Sequence, residues 1–237
     1  LAHAGSRRSV VLRELVTASE GDPARNLRYS RRLIALGEAL PPEVYMGMGK
    51  TLLSMGDAGA AEEAFNRAID AAEDPGLMEK SGDLFHNALF DRQARVQYER
   101  ALIADADNIG VMRKLADVRV SQRDTVGAAD LYLRALRVML RTLPQTFTGG
   151  APPTVNDAYR EHYGRVLSGF LYTLSAGEDR LAQVEKMFDE TLREVAGEER
   201  GASRRLAYYP RLHALYQFLR EAALRAGRID TAAAAER

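Results

Sequence analysis

The sequence of 237 residues is 46% hydrophobic and 28% charged, as in ordinary soluble proteins, and 33 Lys and Arg residues balance 33 Asp and Glu residues. This zero formal charge argues against a dedicated nucleic-acid binder, which usually has a strongly basic surface. The sequence contains no cysteine, which excludes disulfides, thiolate metal sites and thiol nucleophiles and leaves cytoplasm and periplasm equally open. No apolar run approaches the roughly 18 residues of a membrane helix, so membrane insertion is not predicted.

The first 36 residues predict a short tail and one degenerate helix pair. Residues 1–7 are interpreted as a tail or linker, and residues 8–36 as a capping repeat. Its first helix has an apolar stripe at helical spacing that consists of Val11, Leu12, Leu15 and Val16. Asp22 is predicted to cap the second helix, with Pro23 at the first helical position. Weak core positions are expected here, because a terminal repeat has no outer neighbour.

The next stretch, residues 42–74, predicts two antiparallel helices joined at Gly56 and Asp57. In the first helix, one stripe of large and small residues is formed by Tyr45, Met48, Gly49 and Leu52. In the second helix, the corresponding stripe is Ala61, Phe65 and Ala68. The small residues would allow the two backbones to approach closely, and the large ones would fill the remaining volume.

The same pattern returns twice, in residues 75–107 and 108–143. The first return is 33 residues on and consists of Met78, Ser81, Gly82, Phe85, Ala94, Tyr98 and Ala101. The second is a further 34 residues on and consists of Met112, Leu115, Ala116, Ala128, Tyr132 and Ala135.

A period near 34 residues with this order of large and small side chains resembles the tetratricopeptide repeat. Its Ala-x3-aromatic signature is kept in all three second helices, whereas Tyr45, Met78 and Met112 replace the signature Trp of the first helix, and Arg119 stands where its last aromatic belongs. The resemblance implies an all-α fold: a right-handed superhelical array of about twelve helices in antiparallel pairs, a tetratricopeptide-like α-solenoid.

Beyond residue 143 the pattern changes. Residues 144–154 form a Pro- and Gly-rich linker that a continuous helix does not tolerate. Residues 155–237 predict divergent helical hairpins, with helices over 155–174, 181–195 and 212–224. A last helix begins at Thr231 and has only about two turns, so we expect the sequence to be truncated at its C-terminus.

No motif predicts catalysis, a metal or a cofactor. The segment Gly47-Met48-Gly49-Lys50-Thr51 ends like a phosphate-binding loop, but Val44 occupies the position of the first required Gly, and a helix start precedes it. The four histidines lack metal-ligand spacing, and no paired acid and base is found. The sequence therefore predicts a protein that is not an enzyme.

The repeat frame predicts a binding surface on the first helices. Side chains half a turn from the buried stripe would face the concave groove of the array and bind a protein or peptide segment. Met46 belongs to this set in the first full repeat. The predicted partner-binding residues are Lys50, Glu79, Lys80, Asp83, Asn87, Arg113, Lys114 and Asp117. A merely solvated face would have the same composition, and a clamp for a C-terminal carboxylate is disfavoured because Glu79, Asp83 and Asp117 would repel it.

A second candidate patch combines basic and aromatic residues: Arg204, Arg205, Tyr208, Tyr209 and Arg211. Such interleaving can bind phosphates and stack on bases or sugars. The alternative, which we favour, is that the tyrosines pack under a loop and the arginines are solvated.

The leading functional interpretation is a non-enzymatic scaffold that binds a protein or peptide in its concave groove. One alternative is a periplasmic assembly or polysaccharide-export scaffold, a role of tetratricopeptide arrays that this one resembles. Another is a regulatory repeat domain of a larger multidomain protein. The sequence specifies neither the partner nor the oligomeric state.

Overall fold

A computed structural model describes residues 2–18, 21–72, 74–142, 157–174, 180–198, 210–225 and 227 of the chain. These residues form eleven α-helices and no strand. The helices are α1 Ala2–Ala18, α2 Pro23–Ala35, α3 Pro42–Ser54, α4 Ala58–Ala72, α5 Pro75–Asn87, α6 Asp91–Ala104, α7 Ile109–Ser121, α8 Thr125–Thr142, α9 Asp157–Thr173, α10 Arg180–Glu198 and α11 Pro210–Arg225. The all-α prediction is confirmed.

The chain contains two compact units, Leu1–Ala106 and Asp107–Arg237, which we call the N-terminal and C-terminal units. In the N-terminal unit the helices pack as the pairs α1–α2, α3–α4 and α5–α6. In the C-terminal unit α7 pairs with α8, α9 packs on α7, α8 and α11, and α10 packs on α11. Helix α1 begins at Ala2, so residues 2–7, which were interpreted as a tail or linker, are helical. The predicted linker at 144–154 and the predicted helix from Thr231 lie outside the described residues, and the other proposed domain boundaries stay predictions.

The helices of the pairs begin and end at residues whose chemistry explains the boundary. The side chains of Asp22, Asp57 and Asp124 each accept a hydrogen bond from the backbone N–H three residues on, at 2.9–3.1 Å. These bonds satisfy N–H groups that the first turn of a helix leaves without partners. Prolines in the first turn of α2, α3 and α5 have no such N–H to satisfy.

The turn between the two helices of a pair needs one residue in the left-handed region. Gly56 has φ +79° in the first full repeat. Leu89 and Arg123, at the same repeat position, have φ +64° and +65°. Two side-chain-bearing residues therefore adopt a conformation that glycine adopts without steric cost.

The predicted core positions are buried in all three repeats, except that Met78 is partly exposed. Phe65, Tyr98 and Tyr132 are among the largest fully buried side chains. The Phe65 ring lies where a side chain at Gly49 would be, since a Cβ there would be 2.2 Å from Phe65 Cε1. Gly82 accommodates Tyr98 in the same way, at 2.6 Å. The interpretation of Gly49 as a packing residue is confirmed.

Arg119 replaces an apolar side chain without disrupting the third repeat, in which Ala128, Tyr132 and Ala135 are buried as predicted. Its guanidinium forms an ion pair of 3.5 Å with Asp124, the residue that caps α8. The absence of a side chain at Gly127 provides the space for this guanidinium, since a Cβ there would be 2.3 Å from Arg119 Nη1. None of the described helices combines the length and apolar character needed to span a bilayer.

Candidate functional site

In the N-terminal unit, the predicted binding residues lie on α3 and α5. Lys50, Lys80 and Asn87 are exposed, and Glu79 and Asp83 are half-buried. Met46 does not belong to this surface: only 5% of it is exposed. The prediction failed because α3 packs on α2, α4 and α5, so its buried face is wider than a single stripe.

Two of the predicted binding residues, Asp83 and Asp117, form hydrogen bonds within the fold. The Tyr98 hydroxyl donates a hydrogen bond of 2.7 Å to Asp83, and the Tyr132 hydroxyl donates one of 2.7 Å to Asp117. Each bond ties the second helix of a pair to the first. Burial raises the pKa of the Tyr132 phenol far above its usual value, and the hydrogen bond to Asp117 raises it further.

The sequence contains a signal for these bonds that its interpretation missed. Aspartate stands 15 residues before each tyrosine, whereas Lys50 stands 15 residues before Phe65, which has no hydroxyl to donate. The identity of the first-helix residue thus follows the hydrogen-bonding capacity of the aromatic side chain.

The C-terminal unit contains a cleft of about 630 Å³ between α7 and α9. Its lining residues are Arg113 and Asp117 from α7 and Gly164, Arg165, Ser168 and Gly169 from α9. Arg113 and Asp117 were predicted from the sequence. Lys114 lies on α7 but not among the lining residues. Arg165 and Ser168 were missed, because α9 has no repeat signature to place them.

The charges of this cleft do not cancel. Arg113, whose side chain is 13% exposed, donates from Nη1 to Asp117 at 2.8 Å, and its Nε is buried without a hydrogen-bond partner. Asp117 also accepts from Tyr132, so both carboxylate oxygens are engaged. Arg165 is exposed and forms no ion pair with any described side chain. Two guanidinium groups and one occupied carboxylate leave the cleft cationic, which suits an anionic ligand.

The two glycines of α9 create the space. A Cβ at Gly169 would be 2.3 Å from Tyr132 Cζ, whereas nothing lies within 4 Å of a Cβ at Gly164. Gly169 therefore admits the ring that holds Asp117 in place, and Gly164 leaves the α9 backbone uncovered. Two glycines inside one helix are a sequence signal for such a cleft, because glycine destabilises the interior of a helix and needs another reason to be there.

The second candidate patch cannot be placed. Arg204, Arg205, Tyr208 and Tyr209 lie outside the described residues, and the side chain of Arg211, in α11, is not described. Within the described part of the chain, no group of three His, Asp or Glu side chains could hold a metal ion.

The packing of the helices defines the class of protein. The described helices form tetratricopeptide-like hairpins, in which small residues of one helix accommodate a buried aromatic side chain of the next. No model of a protein family matches the chain, and no curated protein matches it.

Several solved structures resemble the chain in fold. PilF from Pseudomonas aeruginosa is 11% identical with a TM-score of 0.41, and the match covers 98% of this chain and 90% of PilF. A MamA RS-1 double mutant is 13% identical with a TM-score of 0.45, covering 82% and 98% of the two chains. A tetratricopeptide repeat protein from Parabacteroides merdae is 13% identical with a TM-score of 0.42, covering 97% and 91%. At these values, the fold description rests on the packing of the chain itself.

Proposed function

We propose that the protein is a non-enzymatic scaffold that binds a polypeptide segment on its first helices, and that the α7–α9 cleft is a principal contact. The observation that supports this proposal is the uncompensated charge of Arg165, at the rim of a cleft left open by Gly164. A carboxylate of the bound segment would form an ion pair with Arg165 at the rim. The uncovered backbone would admit the segment closely.

The proposal separates the predicted binding residues into two groups. Asp83 and Asp117 hold tyrosines and act on the partner only through the shape and charge of the face. Lys50, Lys80 and Asn87 are exposed on α3 and α5 and form the N-terminal unit's own contact surface for a polypeptide. Contacts of charged residues at the rim of an interface affect the association rate more than the affinity.

A site-specific photocrosslink tests the proposal. A benzoylphenylalanine in place of Ser168, which is exposed in the cleft, should cross-link to one polypeptide in an extract of the source cells. Mass spectrometry of the cross-linked peptide then identifies the bound segment. Arg165→Glu should abolish the product, because it turns attraction into repulsion, and it should leave folding nearly unchanged since the site is exposed.

The matched control places the same cross-linker at Arg137, an exposed residue of α8 outside the lining of the cleft. Equal products from positions 137 and 168, or a product at 168 that survives Arg165→Glu, would contradict the proposal.

A further inference from the structure

The N-terminal unit has a second cleft, of about 200 Å³, lined by α2, α3 and α4 and open to solvent. Its floor is apolar and includes Tyr45, Met48 and Leu52, all of them buried. Its rim is charged and consists of Arg31, Glu63 and Arg67. An apolar floor beneath a charged rim is the usual design of a site for an amphipathic ligand.

The neighbouring junction of the same unit, between α4 and α6, is closed by a hydrogen-bonded network. Gln97 is fully buried and donates from Nε2 to Asn66 Oδ1 at 3.4 Å. Arg100 donates to Asn66 and also to Gln97 Oε1, the latter at 3.3 Å. The three side chains therefore form hydrogen bonds with one another between the two second helices.

The repeat frame shows what replaces this network at the α2–α4 junction. A step of 35 residues relates Asp22 to Asp57, and a step of 33 relates Ala61 to Ala94. By these steps the residues equivalent to Asn66, Gln97 and Arg100 are, in order, Arg31, Ala64 and Arg67. Arg31 therefore stands in place of the acceptor Asn66, and Ala64 stands in place of Gln97. Ala64, at the position where the neighbouring junction has a glutamine, lines the cleft.

The rim has two cations and one anion. Arg31 and Arg67 are exposed, and neither forms an ion pair with a described side chain. Glu63 lies on the same rim but forms no ion pair with either arginine. The rim therefore has a net charge of one positive unit, next to a floor that favours an apolar side chain.

We propose that this cleft binds an acidic peptide segment, with one bulky apolar side chain on the floor and flanking carboxylates against Arg31 and Arg67. Charge complementarity selects this occupant: a basic segment would be repelled by both arginines, and a purely apolar one would leave them without partners. The site is separate from the α7–α9 cleft and does not depend on the function proposed for it.

Methyl NMR of methionine tests the proposal at the site itself, because Met48 lies in this cleft and no methionine lines the α7–α9 cleft. The full chain is labelled with ¹³C-methyl methionine, and Met48→Leu assigns the signal. The probe is N-acetyl-Glu-Glu-Phe-Glu-Glu-amide. We expect the Met48 methyl signal to shift and saturate with the probe, and the apparent affinity to fall as salt is added.

The decisive variant combines Arg31→Asn with Ala64→Gln, which installs the closing residues of the neighbouring junction. We expect about tenfold or greater loss of affinity, since a charge-assisted contact and the open space are both removed. Arg28→Asn is the matched control: it removes an exposed arginine of α2 that does not line the cleft, and it should leave affinity unchanged.

Several results would overturn the proposal. These are an unmoved Met48 signal at millimolar probe, an equal response to probes with Lys for Glu or Ala for Phe, and unchanged binding in the double variant. If the double variant fails to fold by circular dichroism, Arg31→Asn alone decides, because that residue is exposed. Unchanged affinity in Arg31→Asn then counts against the site.

Discussion

Two glycines of α3 differ in what surrounds them, and the same substitution should therefore have opposite effects at the two positions. Gly49→Ala should destabilise the protein by about 1–3 kcal/mol, because the new Cβ would overlap the Phe65 ring. Gly47→Ala, two residues earlier and with nothing within 4 Å, should instead stabilise it by about 0.5–1 kcal/mol through helix propensity. Urea unfolding of the two variants measures both effects, and a shared sign would refute the packing described for α3 and α4.

The buried phenol of Tyr132 makes a prediction about alkaline pH. Its folded pKa is raised above the unfolded value of about 10, so between the two values the unfolded chain loses a proton that the folded chain keeps. The contribution of Tyr132 to the free energy of unfolding is therefore fully present below about pH 10 and is lost as the pH rises above that value. Urea unfolding between about pH 9 and pH 11 should show a steeper loss of stability in the wild type than in Tyr132→Phe.

Tyr172→Phe is the control for this experiment, because it removes an exposed phenol from α9. Its slope with pH shows what the loss of an exposed tyrosine contributes by itself. The same slope in Tyr132→Phe as in the wild type would mean that Tyr132 ionises in the folded state as readily as in the unfolded one.

At this scale, the sequence predicted residues that lie in the interior better than residues that bind. Phe65 and Tyr98 were placed correctly because their spacing repeats every 33 or 34 residues. Met46 was misplaced, since a helical wheel does not show how many neighbours a helix will have. The pairing of Tyr132 with Asp117 joins residues on two helices, and no periodicity within one helix reports such a bond.

The turns between paired helices offer a test at the scale of an element. Leu89 has φ +64° and is 87% exposed, so its side chain contributes little burial and its backbone is strained. Leu89→Gly should stabilise the protein by roughly 0.5–1 kcal/mol, because removing a strain of about 1–2 kcal/mol outweighs the added flexibility of the unfolded chain. Thermal and urea unfolding measure the gain.

Leu89→Ala separates backbone strain from side-chain loss, because alanine keeps the Cβ that opposes a positive φ. This control should stay within about 0.5 kcal/mol of the wild type. If alanine stabilised the turn as much as glycine, the benefit would come from removing an exposed apolar side chain.

Helix boundaries were predictable wherever a chemical signal marks them. Asp22 caps α2, as predicted, and Pro42 lies in the first turn of α3, where the sequence indicated a helix start. The α7–α9 cleft was not predictable, since it depends on packing between a repeat with a signature and a helix without one. Arg165 carries no pattern of its own and becomes significant only beside Arg113.

At the scale of the molecule, the division into two compact units predicts uneven stability. Each repeat is stabilised chiefly by its nearest neighbours, so damage should stay local. Phe65→Ala, which removes a fully buried ring and should cost about 3–5 kcal/mol, is expected to lower amide protection in α3 to α5 more than in α8 and α9. Hydrogen-exchange mass spectrometry reports this helix by helix.

Phe170→Ala gives the reverse experiment. Phe170 is fully buried in the C-terminal unit, with its ring centroid 5.2 Å from that of Phe218. Protection should fall mainly in α8, α9 and α11. A uniform loss along the chain in both variants would mean that the protein unfolds as one cooperative body.

The contact between Gly49 and Phe65 has a dynamic consequence. The ring fills the place of a missing Cβ, and its centroid lies 5.3 Å from that of Phe85, at an interplanar angle of 88°. A half-turn of the ring about its Cβ–Cγ bond needs transient space that a close-packed interior lacks. Aromatic ring flips of Phe65, followed by NMR line shapes, should therefore be slow and should record how often α3 and α4 separate.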